Sequence, residues 1–597
     1  MGSFVTIRLR NLNHNVGLRP WQGLLYMTSI LELTLQLVML LVLVIPPGFL
    51  WGRILLPSSS LIEHIALAPG LSFVFMVPCA FLLWGPAKLA VDVSGTAVVY
   101  LVCVVPAMSW LLFNNRKEVL TKIRKWLAVS FWKGMIQRAP RTVKKAHVVL
   151  LLVICFAAVL NYQPHFDYPF PLHTDEWHYV IRGQSLVNVQ DFSEQTGSYA
   201  ETGYLALLIV IIQFTGISWF DLVLLLPTLV LSYAIILFFL VGRKHGLGHL
   251  VIFLLLLIPT SVRYLGPVFM VPVALFLVTL PLALLILNRS KPRSLALLPL
   301  LVISQVLVHP PSALALFFVI LASAVMMIKA NSKRAIGIFA ILGCLAALSV
   351  LPLDLWVSDL KWSEVTEHGS FFLAPPSFTG YITTIGILLL FLSLLGAVNI
   401  LKEKSRLGIT VLIITSALIL LVGIFVYVFP RFNNVTALHD RTVFCLMVVL
   451  VIPGGFGIKG LAKLDFRLAF CTIAVLLVVS SGLHFEAEYY HIIDEGEYED
   501  FLWIKENLND SCEKAVLHPW KAIAFRAVTG KEVYYSVPQG PSSVYESRMR
   551  EVEDFFADEC QDTSFLTRHG ITIVYTKGAC TNPDLQQVHP RIYVLLS

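Results

Sequence analysis

The chain has 597 residues, 57% of them hydrophobic and 14% charged, with a net charge of +7 and a mean hydropathy of +0.78. A soluble globular protein carries about 25% charged residues, so this composition excludes a soluble enzyme and fits a chain built for lipid. The positive charge is no nucleic-acid footprint, because lysine and arginine gather in short loops between apolar runs; no nucleic-acid partner is expected.

Apolar runs of roughly 20 residues cross a hydrocarbon core of about 30 Å as helices. Such runs are predicted at 24–50, 61–84, 91–113, 146–162, 220–241, 247–263, 268–288, 295–309, 312–328, 335–353, 380–400, 407–429, 442–459 and 467–484. The fold class is therefore a polytopic α-helical membrane protein of about fourteen spans. Strands of a membrane barrel alternate apolar and polar residues, and these runs do not. The first run lacks a small-residue cleavage site and is too long for a signal peptide, so it is expected to be retained.

Residues 1–113 read as N-terminal spans, 114–145 as a basic cytoplasmic loop, and 146–484 as a transmembrane core holding an acidic loop, 163–219. Within that loop, Gly203 to Phe214 is apolar but too short to span, and is expected to be an interfacial helix. Charge supports that choice. Arg53, the basic run Arg116 to Lys145, Arg243 and Lys244, Arg289 to Arg293, Lys329 to Arg334, Lys402 to Arg406, and Lys459 to Arg467 then share one side. Counting the short run as a span would scatter them. By the positive-inside rule they are cytoplasmic, which puts the N-terminus and the acidic loop outside, in the plasma membrane. Arg8, Arg10 and Arg19 in the tail pull the other way.

Beyond residue 485 the chain turns acidic and then alternates a helical pattern at 498–507 with short apolar strands at 514–517 and 571–575. Residues 485–597 thus read as an external α/β domain with room for a modest core. Six cysteines lie in apolar runs and are expected to be inert. Cys512, Cys560 and Cys580 lie in the polar domain; no CxxC pair exists, so no zinc site is expected. An external domain permits oxidation, and Cys512 with Cys560 is the expected pair, leaving Cys580 over.

Chemistry is sought in the polar island His165 to Glu201, where Asp167, Asp175, Glu176, Asp191 and Glu194 accompany His165, His173, His178 and Arg182. Its sharpest motif is His173-Thr174-Asp175-Glu176-Trp177-His178. The adjacent carboxylates suit a general base, or oxygen ligands for a divalent cation such as Mg or Mn. They equally suit the start of a helix, where negative charge is favoured. Asp167 is the reserve acid. His178 and Arg182 stand one turn apart on that helix, and the face they share reads either as part of a site or as a solvated surface.

Further candidates recur at span ends on the same side. Arg263-Tyr264 precedes Gly266-Pro267, and Arg263 can snorkel to headgroups or grip a phosphate. Arg441 follows His439-Asp440 and has an internal ion pair as its plain alternative; His309-Pro310-Pro311 reads also as a helix-ending turn. Together these groups fit a site at the outer interface that accepts a phosphate-bearing lipid.

Several segments carry a family likeness: HTDEWHYVIRGQSL, then YAETGYLALLIVIIQFTG, a span ending in GRKHG, another ending at PTSVRYLGP, and a C-terminal series YEDFLWIKENL, AVLHPW, AVTGKEVYY and FLTRHGITIVYT. In these, over roughly 146–597, the chain resembles the GT-C superfamily of integral-membrane glycosyltransferases, which includes oligosaccharyltransferase catalytic subunits, protein O-mannosyltransferases and aminoarabinose transferases. The resemblance implies a polyprenyl-phosphate sugar donor, an acceptor glycan, lipid or protein outside the cytoplasm, and Asp175 as base or metal ligand. No WWD-type acceptor motif is present, which disfavours transfer to asparagine. Asp354, Asp359, Glu364 and Glu367 form the only later acidic cluster. A transporter or flippase, or a non-catalytic assembly subunit, is the alternative.

Overall fold

The structure is a computed structural model and describes residues 22–114, 145–189, 201–260, 265–287, 292–328, 385–427, 434–485, 489–509, 511–536 and 542–596. Seven described helices are long and apolar enough to cross a membrane: Leu31–Leu55, Leu61–Trp84, Val93–Asn114, His147–Phe166, Trp219–Arg243, Arg406–Ile424 and His439–Leu464. Their outer faces carry exposed Leu101, Leu151 and Leu420, a surface that water would not tolerate and lipid does.

Several expected spans are shorter. The run at 247–263 contributes only the helix Gly248–Leu255 before the chain turns. The run at 268–288 opens with a 3₁₀ turn, Pro272–Leu275, and leaves a helix Phe276–Leu287 of 12 residues. The run at 295–309 holds Leu297–Val308, also 12 residues. At 1.5 Å per residue such helices reach about 18 Å, well short of the core. Both 12-residue helices are largely buried, and apolarity there serves protein packing rather than lipid contact. The expected span 335–353 and the later acidic cluster lie outside the described residues, as does most of the basic loop.

The helix Asn434–Leu464 forms the centre of the second half. Against it lies Ile387–Glu403, and the two backbones all but touch: a β-carbon built on Gly396 would sit 1.7 Å from the Pro453 carbonyl oxygen, and one on Gly457 2.1 Å from that of Leu392. Small residues at a helix crossing let dispersion contacts form along the whole backbone.

The run expected as an interfacial helix is the helix Thr202–Thr215. Its length of 14 residues agrees with a segment that does not span, but its setting differs. It is apolar on every side and packs against Leu61–Trp84, Leu297–Val308 and Val93–Asn114, with Tyr204, Leu208 and Ile209 buried. An interfacial helix keeps a polar face for water; this one has none, so it goes inside.

Residues 489–596 build a five-stranded sheet in the order β2-β1-β3-β5-β4, with β1 Lys514–Val516, β2 Glu532–Val533, β3 Ile573–Tyr575, β4 Leu585–His589 and β5 Ile592–Leu595. β1 pairs in parallel with β2 and β3, while β5 runs antiparallel to β3 and β4. Helices Glu495–Asn507 and Pro519–Thr529 cover the sheet, where Phe501, Phe525 and Tyr575 meet edge to face. The disulfide joins Cys560 to Cys580, and Cys512 is a buried free thiol. The expected Cys512–Cys560 pair is thus corrected. Cys512 precedes β1, whereas Cys560 and Cys580 flank the helix Thr563–His569 and β3, and the backbone beside them also joins through Thr581 N–H to the Glu559 carbonyl.

Candidate functional site

The loop helix Thr174–Val189 is set by its first turn. His173 stands at the capping position; its Nδ1 accepts the N–H of Asp175 at 3.1 Å, while the carboxylate of Glu176 reaches back to the N–H of His173 at 3.1 Å. This varies the capping box: histidine takes the usual serine place and accepts from the second helical N–H instead of the third. Glu176 also accepts the N–H of Leu172 at 2.7 Å and, from far along the chain, that of Met270 at 2.6 Å. It is completely buried. Burial pushes its pKa up, to about 8, against the pull of the three amide donors.

Glu176 is therefore a clamp between the loop and the segment around Met270. Glu176 is expected beside Asp175 as a catalytic and metal-binding acid; in the structure both its oxygens accept backbone amides, and the cavity lining holds Asp175 but not Glu176. Asp175 and Glu176 do not form a two-carboxylate cradle. Among the described residues no group of three His, Cys, Asp or Glu converges in a metal-binding arrangement.

The other face of the helix turns the opposite way. Asp175, His178, Tyr179, Arg182 and Ser185 recur at helical spacing and line a cavity of about 610 Å³. On the packed side, Trp177 and Val180 are buried, and Gly183 lets the helix rest on the indole of Trp219, whose ring would meet a β-carbon there at 1.9 Å.

Distant elements complete the cavity. Arg441, on the helix Asn434–Leu464, extends Nη2 to within 3.7 Å of Asp175 Oδ2. His173 Nδ1 lies 3.7 Å from the same oxygen. His309 lines the cavity and is buried; its Nδ1 accepts the N–H of Ser312 at 3.3 Å and lies 2.7 Å from that residue's hydroxyl, so it caps the helix beginning at Pro310 and keeps its proton on Nε2. Burial, and Arg441 after it, hold this imidazole well below the usual histidine range. His439 is buried beside the cavity's arginine, with Nδ1 at 2.8 Å from Asp440 Oδ1.

Three titratable lining residues, Tyr179, Glu201 and Arg526, are not among the sequence candidates. Glu201 starts the inner helix with a left-handed backbone, φ 67°, and accepts the hydroxyl of Tyr179 at 2.6 Å. Strain of this kind is retained where the surroundings dictate it. Burial raises its carboxyl pKa, with the Tyr179 hydrogen bond opposing. Arg526 comes from the helix Pro519–Thr529 of the C-terminal sheet region, which packs directly on the loop helix. Tyr179 itself stood in the quoted motif without a role. The helical spacing from Asp175 marks Tyr179, but nothing local marks Glu201 or Arg526.

The two regions are joined firmly. Tyr490 donates its N–H to the Leu172 carbonyl at 3.1 Å, Ile493 donates to the Tyr168 hydroxyl at 3.3 Å, and Tyr168 stacks on His491. Asp167, the reserve acid, lines a second cavity at this seam and not the first. Arg263 and Tyr264 lie outside the described residues.

No family model matches the chain, and no curated protein matches it. Solved structures of an oligosaccharyltransferase from Archaeoglobus fulgidus are similar. Its apo form is 14% identical with a TM-score of 0.45, covering 73% of this chain and 70% of that chain. The same organism's AglB, in complex with an inhibitory peptide and a dolichol-phosphate, is 13% identical with a TM-score of 0.44, covering 73% and 69%. The likeness is too distant to carry residues or activity across.

Proposed function

We propose that the protein is a membrane glycosyltransferase that moves a sugar from a lipid-phosphate donor to an acceptor on the extracytoplasmic face. One observation carries this reading: a carboxylate, Asp175, and a guanidinium, Arg441, face each other at 3.7 Å in a cavity of about 610 Å³ at the mouth of the spans. Ligand cavities of roughly 300–1,000 Å³ hold compact polar molecules of sugar-phosphate size. The groups lie toward span ends, with Arg441 in the first third of the helix Asn434–Leu464, whereas transporters concentrate charge at the midplane.

In this reaction the bond between the anomeric carbon and the donor's phosphate oxygen breaks, and the acceptor oxygen bonds to that carbon. Asp175 takes the acceptor's proton. The lipid phosphate leaves with the electron pair, and Arg441 neutralises its growing charge. Substrate entry exchanges the Asp175–Arg441 contact for separate partners. Glu176 holds the helix in place, and Tyr179 with Glu201 walls the far side. No metal step is assigned, because the adjacent acids do not form a ligand pair.

The resemblance in the loop and C-terminal motifs supports the same class. The account places the N-terminus, the acidic loop and the C-terminal region outside the plasma membrane, and the disulfide agrees with an oxidising compartment. Proteoliposomes loaded with a polyprenyl-phosphate sugar and candidate acceptors separate the readings. Transfer leaves free polyprenyl phosphate and a glycosylated acceptor. Intact lipid appearing on the opposite leaflet, with no free phosphate, identifies a flippase instead; neither event identifies an assembly subunit.

A further inference from the structure

Three arginines line the cavity. Arg441 bears on His309 and Asp175. Arg182, on the loop helix, and Arg526, on the helix Pro519–Thr529, both bear on the same imidazole, His178. Burial first, and these two guanidiniums after it, push that imidazole down to about 4 against the pull of Asp175, so it adds no charge at neutral pH. The cavity's two acids have other partners, Asp175 facing Arg441 and Glu201 accepting from Tyr179, although Arg182 also bears on Glu201. Among the described residues neither Arg182 nor Arg526 has a hydrogen bond or ion pair, although both line the cavity and Arg526 is half-buried. Two guanidiniums from separate elements that line one cavity and bear on one imidazole supply the donors that grip an oxyanion.

We propose that Arg182 and Arg526 form an anion-binding subsite across the seam between the loop helix and the C-terminal region, taking a second negatively charged group of the substrate, a phosphate or a carboxylate. The subsite deepens the transferase reading and rests on it for the word substrate. A second phosphate would belong to a diphosphate-linked donor; a carboxylate would belong to an acidic sugar or acceptor.

The test is calorimetric titration of the full-length protein in lipid nanodiscs with inorganic pyrophosphate, orthophosphate and glucuronate. Wild type, Arg526→Gln, Arg526→Lys and Arg182→Gln are compared. Loss of a charge-assisted contact weakens the bound anion by roughly tenfold or more. A loss of pyrophosphate affinity in both glutamine variants, with orthophosphate little changed, assigns the subsite to a second phosphate. The same loss for glucuronate assigns it to a carboxylate. Arg182 is exposed, so Arg182→Gln keeps the fold and the comparison stands even where Arg526→Gln melts early; Arg526→Lys keeps charge and retains part of the affinity. Unchanged affinity for both anions in Arg182→Gln and Arg526→Gln overturns the proposal. Because the readout is binding, a protein that transfers no sugar yet loses pyrophosphate in these variants keeps the subsite and fails only the transferase reading.

Discussion

Glu176 accepts three backbone N–H groups in a space closed to water, and its neighbour Asp175 points into the cavity, so substitution should separate the two. Glu176→Gln turns an amide group toward donors and should lower stability by about 1–3 kcal/mol, read by thermal unfolding, whereas Asp175→Asn should leave the unfolding temperature within experimental scatter. The pH dependence follows from the same burial. In the folded protein the Glu176 carboxyl holds its proton up to about 8, while the unfolded chain releases it near the ordinary glutamate value of 4.5. This residue's contribution is therefore full below the unfolded value and is lost as pH rises through about 8. Glu176→Gln should remove that part of the slope; an unchanged slope would show that another group sets it. The sequence presented Asp175 and Glu176 as equals because a capping box and a catalytic acid ask for the same residues beside a helix start. Only the long-range bond from Met270 tells them apart.

Among the elements, the loop helix owes its position to a missing side chain. Gly183→Ala puts a methyl group into the ring of Trp219 and should cost about 1–3 kcal/mol despite the better helix propensity of alanine. Trp219→Leu in the same chain should recover part of that loss, since residues in contact are not additive; additive losses would mean the indole is not the obstacle. In the C-terminal region, peptide mapping without reductant should find Cys560 joined to Cys580 and Cys512 alkylatable only after unfolding. Replacing both bridged cysteines with serine should cost about 3 kcal/mol, the chain-entropy value for a loop of some 20 residues. Periodicity made the helix after His173 and the strands at 514–517 and 571–575 readable from sequence. It could not distinguish the inner helix Thr202–Thr215 from an interfacial one, because burial between other helices is a property of the neighbours.

At the scale of the whole molecule, the account requires the C-terminal region to sit on the same face as the acidic loop, because Arg526 lines the cavity with Asp175. A cysteine placed at the exposed Asn509 should react with a membrane-impermeant reagent on intact cells; labelling only after lysis would reverse the topology. Sequence exposed the membrane class, the acidic loop and one wall of the site, since composition and helical spacing are local. It could not show that Arg526 reaches the loop helix or that Glu201 closes on Tyr179, as nothing short-range encodes the docking of remote elements. The reaction itself is tested most directly by sugar transfer from a polyprenyl-phosphate donor in purified proteoliposomes, with wild type and Asp175→Asn compared at matched unfolding temperature. The account predicts release of polyprenyl phosphate in step with acceptor glycosylation, falling about 10²–10⁴-fold in the variant. Equal rates in the two proteins would contradict it.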